Sequence, residues 1–184
     1  MKIAICILIL LIFGYRPSIQ RKVDPSLNYV IDSTDITIFA ADSMKNRIFT
    51  DDYKVVPLRQ SDILECEKLL KDYIKRYNIK GTEKLDSVKR YFREVKHKEV
   101  QLYEGQFFIN LKKYGRQYIA VKSKANHIIV YLNCFCNPSE FNYRKKDWVF
   151  VLDGGNCFFQ MKIDLTDKKI FEFSENGGGM KIIN

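Results

Sequence analysis

The spacing of apolar residues changes once along this chain, and that change predicts the fold class. Between residues 60 and 96 apolar side chains recur every three or four positions, as on one face of a helix. From Phe107 onward they alternate or form short runs bounded by turn residues, which is typical of strands. Short connections between these runs favour antiparallel pairing. We therefore expect an α+β domain in which one or two helices pack on an antiparallel sheet of about five or six strands.

Two helices are predicted in the first region. Asp62 is expected to cap the first, with Glu65 completing a capping box. Asn78 and Gly81 are expected to end it, and Thr82 to cap the second helix of an αα-hairpin. The apolar stripes consist of Ile63, Cys66, Leu70, Tyr73, Ile74 and Tyr77 in the first helix and Leu85, Val88, Tyr91, Phe92 and Val95 in the second.

Strands are predicted at residues 107–111, 116–122, 127–136, 148–152, 157–165 and 170–173, with one or two more at 29–31 and 36–39. The clearest local signal is the Gly154-Gly155 pair, which fits a type I′ hairpin with positive φ at both glycines. A phosphate-binding glycine loop is disfavoured, because no helix pattern follows it. The hairpin register pairs Leu152 with Cys157, Phe150 with Phe159, and Trp148 with Met161.

The first residues have the layout of a secretory signal peptide. Lys2 precedes an apolar run over residues 3–13, which ends before Gly14. The run is too short to cross a bilayer, because a spanning helix needs about 20 apolar residues. We expect residues 1–20 to be a signal peptide and residues 21–184 to form one exported domain, periplasmic or extracellular. The alternatives are an uncleaved membrane anchor or a buried amino-terminal strand.

The four cysteines of residues 21–184 matter because exported domains form disulfides. Cys134 and Cys136 share one face of a predicted strand, Cys66 lies on the helix stripe, and Cys157 lies on the core side of the predicted hairpin. All four are expected at the interface of helix and sheet. A disulfide from Cys66 to Cys134 or Cys136 is geometrically plausible, and buried free thiols are the equally supported alternative.

The chain has a net charge of +9, and its basic residues are concentrated between positions 112 and 146. Such a region can bind an anionic partner, for example a lipid head group or a polysaccharide, with nucleic acid the least expected. The alternative is that its lysines protect a sheet edge from pairing. Only one acid, Glu140, accompanies the eight basic residues, which are Lys112, Lys113, Arg116, Lys122, Lys124, Arg144, Lys145 and Lys146.

No residue pattern indicates a catalytic, cofactor or metal site. A cysteine nucleophile needs a nearby base. His127 begins the strand that carries Cys134, roughly 23 Å away along an extended chain, and His97 lies far from it in sequence. Cys-x-Cys with two scattered histidines does not fit zinc spacing. No carboxylate pair stands in a recognisable glycosidase frame.

Four short motifs carry a resemblance that covers roughly residues 110–178. They are Tyr114-Gly115-Arg116-Gln117-Tyr118, Leu132-Asn133-Cys134-Phe135-Cys136-Asn137, Asp153-Gly154-Gly155-Asn156-Cys157-Phe158-Phe159 and Asn176-Gly177. This stretch resembles a group of small exported proteins of Gram-negative bacteria that have no assigned function. The resemblance implies export and a strand-rich domain, and it implies no activity. Gly178-Gly179 and the apolar tail lie past the matched motifs.

These features favour an exported binding or interaction module, a class that includes inhibitors of secreted enzymes. Its partner would be an anionic surface or another exported protein. One alternative is an envelope component held by an uncleaved amino-terminal segment, and another is an enzyme of unrecognised type. A helix followed by an antiparallel meander also describes cystatin-like folds, but fold-level analogy carries little functional weight.

Overall fold

The computed structural model describes residues 35–39, 49, 53–177 and 182–183. All of them belong to one compact unit, which spans residues 32–184. The predicted signal peptide and the predicted strand at 29–31 lie outside the described residues. Within the described part of the chain, no helix combines the length and hydropathy that a transmembrane span requires.

One continuous helix, α1 (Gln60–Glu94), replaces the predicted αα-hairpin. Its N-cap is Arg59, so Asp62 lies in the first turn and is not the cap. The Asp62 carboxylate accepts a hydrogen bond from the backbone N–H of Arg59 at 2.8 Å and pairs with the Arg59 guanidinium at 3.1 Å. The negative charge stabilises the positive end of the helix dipole.

The two residues predicted to end the first helix instead hold a neighbouring segment against it. The side chain of Asn78 accepts from the backbone N–H of Ile109 at 2.8 Å and donates to the carbonyl of Ile109 at 3.0 Å. Gly81 is buried, and a Cβ there would lie 2.1 Å from the carbonyl oxygen of Phe107. The residues that resemble stop signals therefore allow close packing inside a long helix.

Eight strands complete the described fold. They are β1 (Ile36–Phe39), β2 (Lys54–Val55), β3 (Gln101–Leu102), β4 (Tyr114–Lys122), β5 (Ile128–Cys136), β6 (Phe158–Asp164), β7 (Lys169–Glu175) and β8 (Ile182–Ile183). The main sheet has six strands in the order β1-β4-β5-β6-β7, with β2 also paired to β4. Only β1 runs parallel to its neighbour, so the sheet is mixed and mostly antiparallel. A separate two-stranded sheet joins β3 and β8.

The α+β prediction is confirmed, and strands occur at five of the predicted places: 36–39, 116–122, 127–136, 157–165 and 170–173. The predictions at 107–111 and 148–152 were wrong. The backbone of Ile109 pairs with the Asn78 side chain. The backbone of Val149 likewise pairs with side-chain amides of the sheet.

The predicted Gly-Gly hairpin was also wrong, although both glycines do have positive φ, 98° for Gly154 and 60° for Gly155. Gly155–Cys157 forms a 3₁₀ turn that leads into β6. Strand β6 is internal, because Phe159 lies between Cys134 of β5 and Glu175 of β7. Both of its edges are therefore already paired, and no edge is left for residues 148–152.

The main core lies between α1 and one face of the sheet. Ile63, Cys66, Leu70 and Ile74 of the helix pack against apolar side chains of β4, β5 and β6. The face of β5 that carries Val130, Leu132 and Cys134 is buried there, as predicted. The opposite face is buried as well, around Ile119, Val121 and Ile129, with Phe49, Tyr53 and Trp148 over them.

A buried polar cluster joins α1 to β4. Glu67 is fully buried, and its carboxylate accepts a hydrogen bond from the Tyr118 hydroxyl and pairs with Nε of Arg116 at 2.9 Å. Arg116 also donates to the carbonyl oxygens of Tyr114 and Leu111, both at 3.0 Å. Burial without pairing would be costly for either charge, so the cluster fixes the helix at one place on the sheet.

The close contact at Gly81 yields a stability prediction. Gly81→Ala gains about 1 kcal/mol of helix propensity but forces the Phe107 backbone to move, at a cost of about 1–3 kcal/mol. We expect a net loss of stability in urea unfolding monitored by circular dichroism. Glu83→Ala, at an exposed position two residues on, is the control and should change little. Stabilisation by Gly81→Ala would contradict the packing described here.

Candidate functional site: a disulfide-closed loop on the sheet

A long loop crosses the face of the sheet that α1 does not cover. The β5–β6 loop, residues 137–157, leaves β5 after Cys136 and enters β6 at Phe158. Cys136 and Cys157 form a disulfide with their Cα atoms 5.1 Å apart, which joins the two ends of the loop. Connections of this length without a strand or α-helix of their own are uncommon in compact domains, and functional loops are one of their main classes.

Four amide side chains in a row hold this loop to the sheet. Gln117, Asn133 and Gln160 are cross-strand neighbours on β4, β5 and β6, and Asn176 follows β7. Asn133 donates to Gln117 at 3.0 Å, and Gln160 donates to Asn133 at 3.3 Å and to Asn176 at 3.4 Å. We call these four residues the amide row. Gln117 and Asn133 are almost completely buried, so each needs its partners.

The amide row uses its remaining donors and acceptors on the loop backbone. Gln117 donates to the carbonyls of Arg144 and Asp147 at 2.7 and 2.8 Å. Both backbone groups of Val149 are hydrogen-bonded: its N–H donates to Gln117 at 2.8 Å, and its carbonyl accepts from Asn133 at 2.8 Å. Asn176 donates to the carbonyl of Val151. The amide side chains therefore supply the hydrogen bonds that a neighbouring strand would supply in a sheet.

Loop segment 148–152 presents two large apolar side chains to solvent. Exposure alternates along it: Val149 is 2% exposed, whereas Phe150 and Leu152 are 73% and 83% exposed. The alternation indicates an extended backbone. In such a backbone the N–H and C=O of neighbouring residues point to opposite sides. Because the groups of Val149 face the amide row, those of Phe150 point away from it.

Aromatic packing fixes the loop before this segment and at its first residue. Phe141 makes edge contacts with Phe135 and Phe158, with ring centroids 5.4 and 5.9 Å apart. Trp148 packs on Tyr131 at 5.5 Å. The exposed residues are therefore carried by a loop that the sheet holds at several points.

The structure divides the four predicted cysteines into two classes. Cys136 and Cys157 are bonded, while Cys66 and Cys134 are free and buried. The disulfide considered from Cys66 is absent, because Cys157 lies directly beyond the Phe135–Phe158 pair and so reaches Cys136 first. Burial raises the pKa of both free thiols far above the ordinary value. Neither is a suitable nucleophile at neutral pH.

The eight basic residues are not brought together. Lys112 and Lys113 precede β4, whereas Lys122 and Lys124 lie at its other end, about 30 Å away for nine residues. Arg116 is buried with Glu67, and Arg144 is half-buried, 3.6 Å from Asp35. Lys145 and Lys146 are exposed on the β5–β6 loop. Strands β4 and β5 are both internal, so these lysines do not protect a sheet edge. Anion binding stays a prediction.

A second polar cluster lies at the opposite end of the sheet from the disulfide. Nδ1 of His127 is 2.7 Å from Asp164 and 3.9 Å from Asp167, and Lys169 pairs with Asp167 at 2.7 Å. Asp164 also accepts hydrogen bonds from the N–H groups of Thr166 and Asp167. These contacts connect the β4–β5 turn to the β6–β7 turn, which gives the cluster a structural role. The carboxylates of Asp164 and Asp167 are therefore already engaged by partners within the described part of the chain.

Hydrogen bonding to Asp164 raises the pKa of His127, and charge attraction to the same carboxylate adds to this effect. Burial opposes the charged form of Asp164, but hydrogen bonds from His127 and from two backbone amides outweigh it. The pKa of Asp164 therefore lies below its ordinary value. Both shifts favour the charged pair in the folded state.

Comparisons of this chain with protein-family models, with curated proteins and with solved structures found no match. The resemblance of residues 110–178 to exported Gram-negative proteins therefore stays a prediction.

The site residues that sequence reasoning missed are those of the amide row. Gln117 and Asn133 are cross-strand neighbours on the faces of β4 and β5 that α1 does not cover. A signal was present, because the two amides lie sixteen residues apart on strands that a short turn connects. Side-chain amides at matching positions of a predicted hairpin are candidates for a cross-strand pair.

The disulfide should contribute strongly to stability. It closes a loop of 21 residues, and its removal in the double variant Cys136→Ser/Cys157→Ser should lower the free energy of unfolding by about 3 kcal/mol in the chain-entropy model. Urea unfolding with and without dithiothreitol measures this, and only the parent should respond to the reductant. Cys66→Ala, which removes a buried free thiol, should cost about 1 kcal/mol. Equal losses would contradict the pairing.

The His127–Asp164 pair should make stability depend on pH in one direction. Because folding raises the pKa of His127, its contribution is complete below the unfolded value of about 6.5 and is lost as pH rises through the folded pKa. The stability difference between the parent and His127→Gln should therefore shrink from about pH 5.5 to pH 9. A difference that grows over this range would contradict the assignment. Lys169 and Asp167 face the same pair and are unchanged in both proteins.

Proposed function

We propose that this protein is exported and works as a binding module for another exported protein, with loop segment 148–152 as its contact surface. The observation that carries the proposal is the exposure of Phe150 and Leu152, 73% and 83%, on a backbone held by buried amides. Contiguous exposed apolar patches are rare on soluble proteins and mark interaction sites.

Two features support export. One is the Lys2 leader with its apolar run over residues 3–13. The other is the Cys136–Cys157 disulfide, because such bonds persist in oxidising compartments and are rare in the cytosol. The two features are independent, since the disulfide lies more than a hundred residues from the leader.

Protein recognition is better supported than the alternatives. The basic residues are spread over three places, which weakens the case for one anion-binding patch. The two free cysteines are buried with raised pKa values, which argues against a thiol enzyme. Loop segment 148–152 offers the large aromatic side chain of Phe150, and aromatic residues including Phe are enriched at the cores of protein interfaces.

A photo-crosslinking amino acid placed at position 150 of the exported protein in its own host tests this proposal. We expect a crosslinked exported protein, and we expect added parent protein, but not Phe150→Ser, to compete for it. The same group at Phe171, 51% exposed on β7, is the matched control and should not capture this partner. Equal capture from both positions would contradict the proposal.

Intact mass of the same exported material tests the leader. Loss of roughly 15–22 residues is expected for a cleaved signal peptide. A full-length chain in the membrane fraction would instead support an anchored envelope component.

A further inference from the structure

We propose that loop segment 148–152 enters the substrate groove of a secreted peptidase and inhibits it, with Phe150 in the pocket that selects the residue before the cleaved bond. This inference rests on the proposed function and specifies the partner. Four observations support it: the backbone shape, the two side chains, the support beneath them and the position of the bond after Phe150.

The backbone has the form that peptidase grooves accept. Extended peptides bind by adding a strand, with main-chain hydrogen bonds for affinity and alternate side chains for specificity. Val149 uses its N–H and C=O on Gln117 and Asn133. The N–H and C=O of Phe150 then point away from the sheet, toward an approaching enzyme. One edge of the segment is held by the protein itself, and the other faces outward.

The side chains fit a peptidase that prefers large apolar residues. Phe150 and Leu152 lie two positions apart on the exposed side, about 7 Å from each other along an extended chain. A hydrophobic slot that takes such a side chain distinguishes chymotrypsin from trypsin, whose pocket carries an aspartate. The segment offers no basic side chain at these two positions.

The support beneath the segment explains why it would inhibit and not serve as a good substrate. Binding a flexible loop costs ordering entropy, and a loop already held in the bound form avoids much of that cost. Val149 and Val151, the neighbours of Phe150, are both hydrogen-bonded to the amide row. The enzyme therefore meets a segment that needs little rearrangement and that resists distortion.

The same support would act after cleavage. Hydrolysis of the Phe150–Val151 bond consumes one water and leaves a carboxylate on Phe150 and an amine on Val151. Val149 and Val151 would stay hydrogen-bonded to the amide row on either side of Phe150, so the two new chain ends would remain close together. The reverse reaction, which loses that water, can then rejoin them in the groove.

Inhibition assays with chymotrypsin, subtilisin and trypsin test the inference, using the exported, disulfide-bonded protein. We expect competitive inhibition of chymotrypsin and subtilisin, and none of trypsin. Phe150→Lys should weaken chymotrypsin inhibition by about 30-fold or more, the size expected for a dominant contact residue, and should create inhibition of trypsin. Phe171→Lys is the matched control and should change neither. Circular dichroism melts confirm that both variants fold, since both positions are exposed.

Three results would overturn the inference. They are the absence of inhibition of both chymotrypsin and subtilisin, rapid cleavage at Phe150 without inhibition, and inhibition that Phe150→Lys leaves unchanged. A dimer that Phe150→Lys disrupts, without inhibition, would assign the segment to a second copy of this chain. If inhibition fails while position 150 still crosslinks an exported partner, the proposed function stands and only the peptidase is excluded.

Discussion

The position of the β5–β6 loop on the sheet depends on the amide row. Gln117 and Asn133 are buried among apolar strands, and neither is satisfied by the sheet alone. Their donors and acceptors are completed by the loop backbone at Arg144, Asp147 and Val149. Removing the loop would take away these partners and expose the amides to water, and removing the amides would leave the loop backbone without its hydrogen bonds. Sheet and loop therefore stabilise each other.

Two different forces hold the loop, and they act at different places. The disulfide limits how far its ends can separate, chiefly by restricting the unfolded chain. The amide row fixes the middle of the loop in the folded state. Because the β5–β6 loop is restrained at its ends and its centre, Phe150 stays exposed to solvent. That combination is what a protein needs in order to present an apolar side chain as a binding residue.

Prediction from the sequence succeeded where structure is local and failed where side chains replaced backbone partners. Strands β4 and β5 were recognisable as apolar-rich runs bounded by turn residues, because both faces of each strand are largely buried. Asn78 and Gly81 are residue types typical of a helix end. Here Asn78 instead hydrogen-bonds the backbone of Ile109, and Gly81 lets the backbone of Phe107 pack closely, about thirty positions away in the sequence. Residues 148–152 alternate as a strand does, but their partners are amide side chains. Hydrophobic period alone cannot distinguish these cases.

The buried Glu67–Arg116 pair has a consequence for how this sequence can change over generations. A substitution at one position removes an oppositely charged partner from the other in the core, which is costly, whereas replacing both with apolar residues of similar volume is often tolerated. Descendants of this chain should therefore alter positions 67 and 116 together or keep both. The Tyr118 hydroxyl donates to Glu67, so Tyr118 should be replaced by phenylalanine when positions 67 and 116 become apolar. The history of the fold would thus be recorded as linked exchanges at three buried positions inside the contact between helix and sheet.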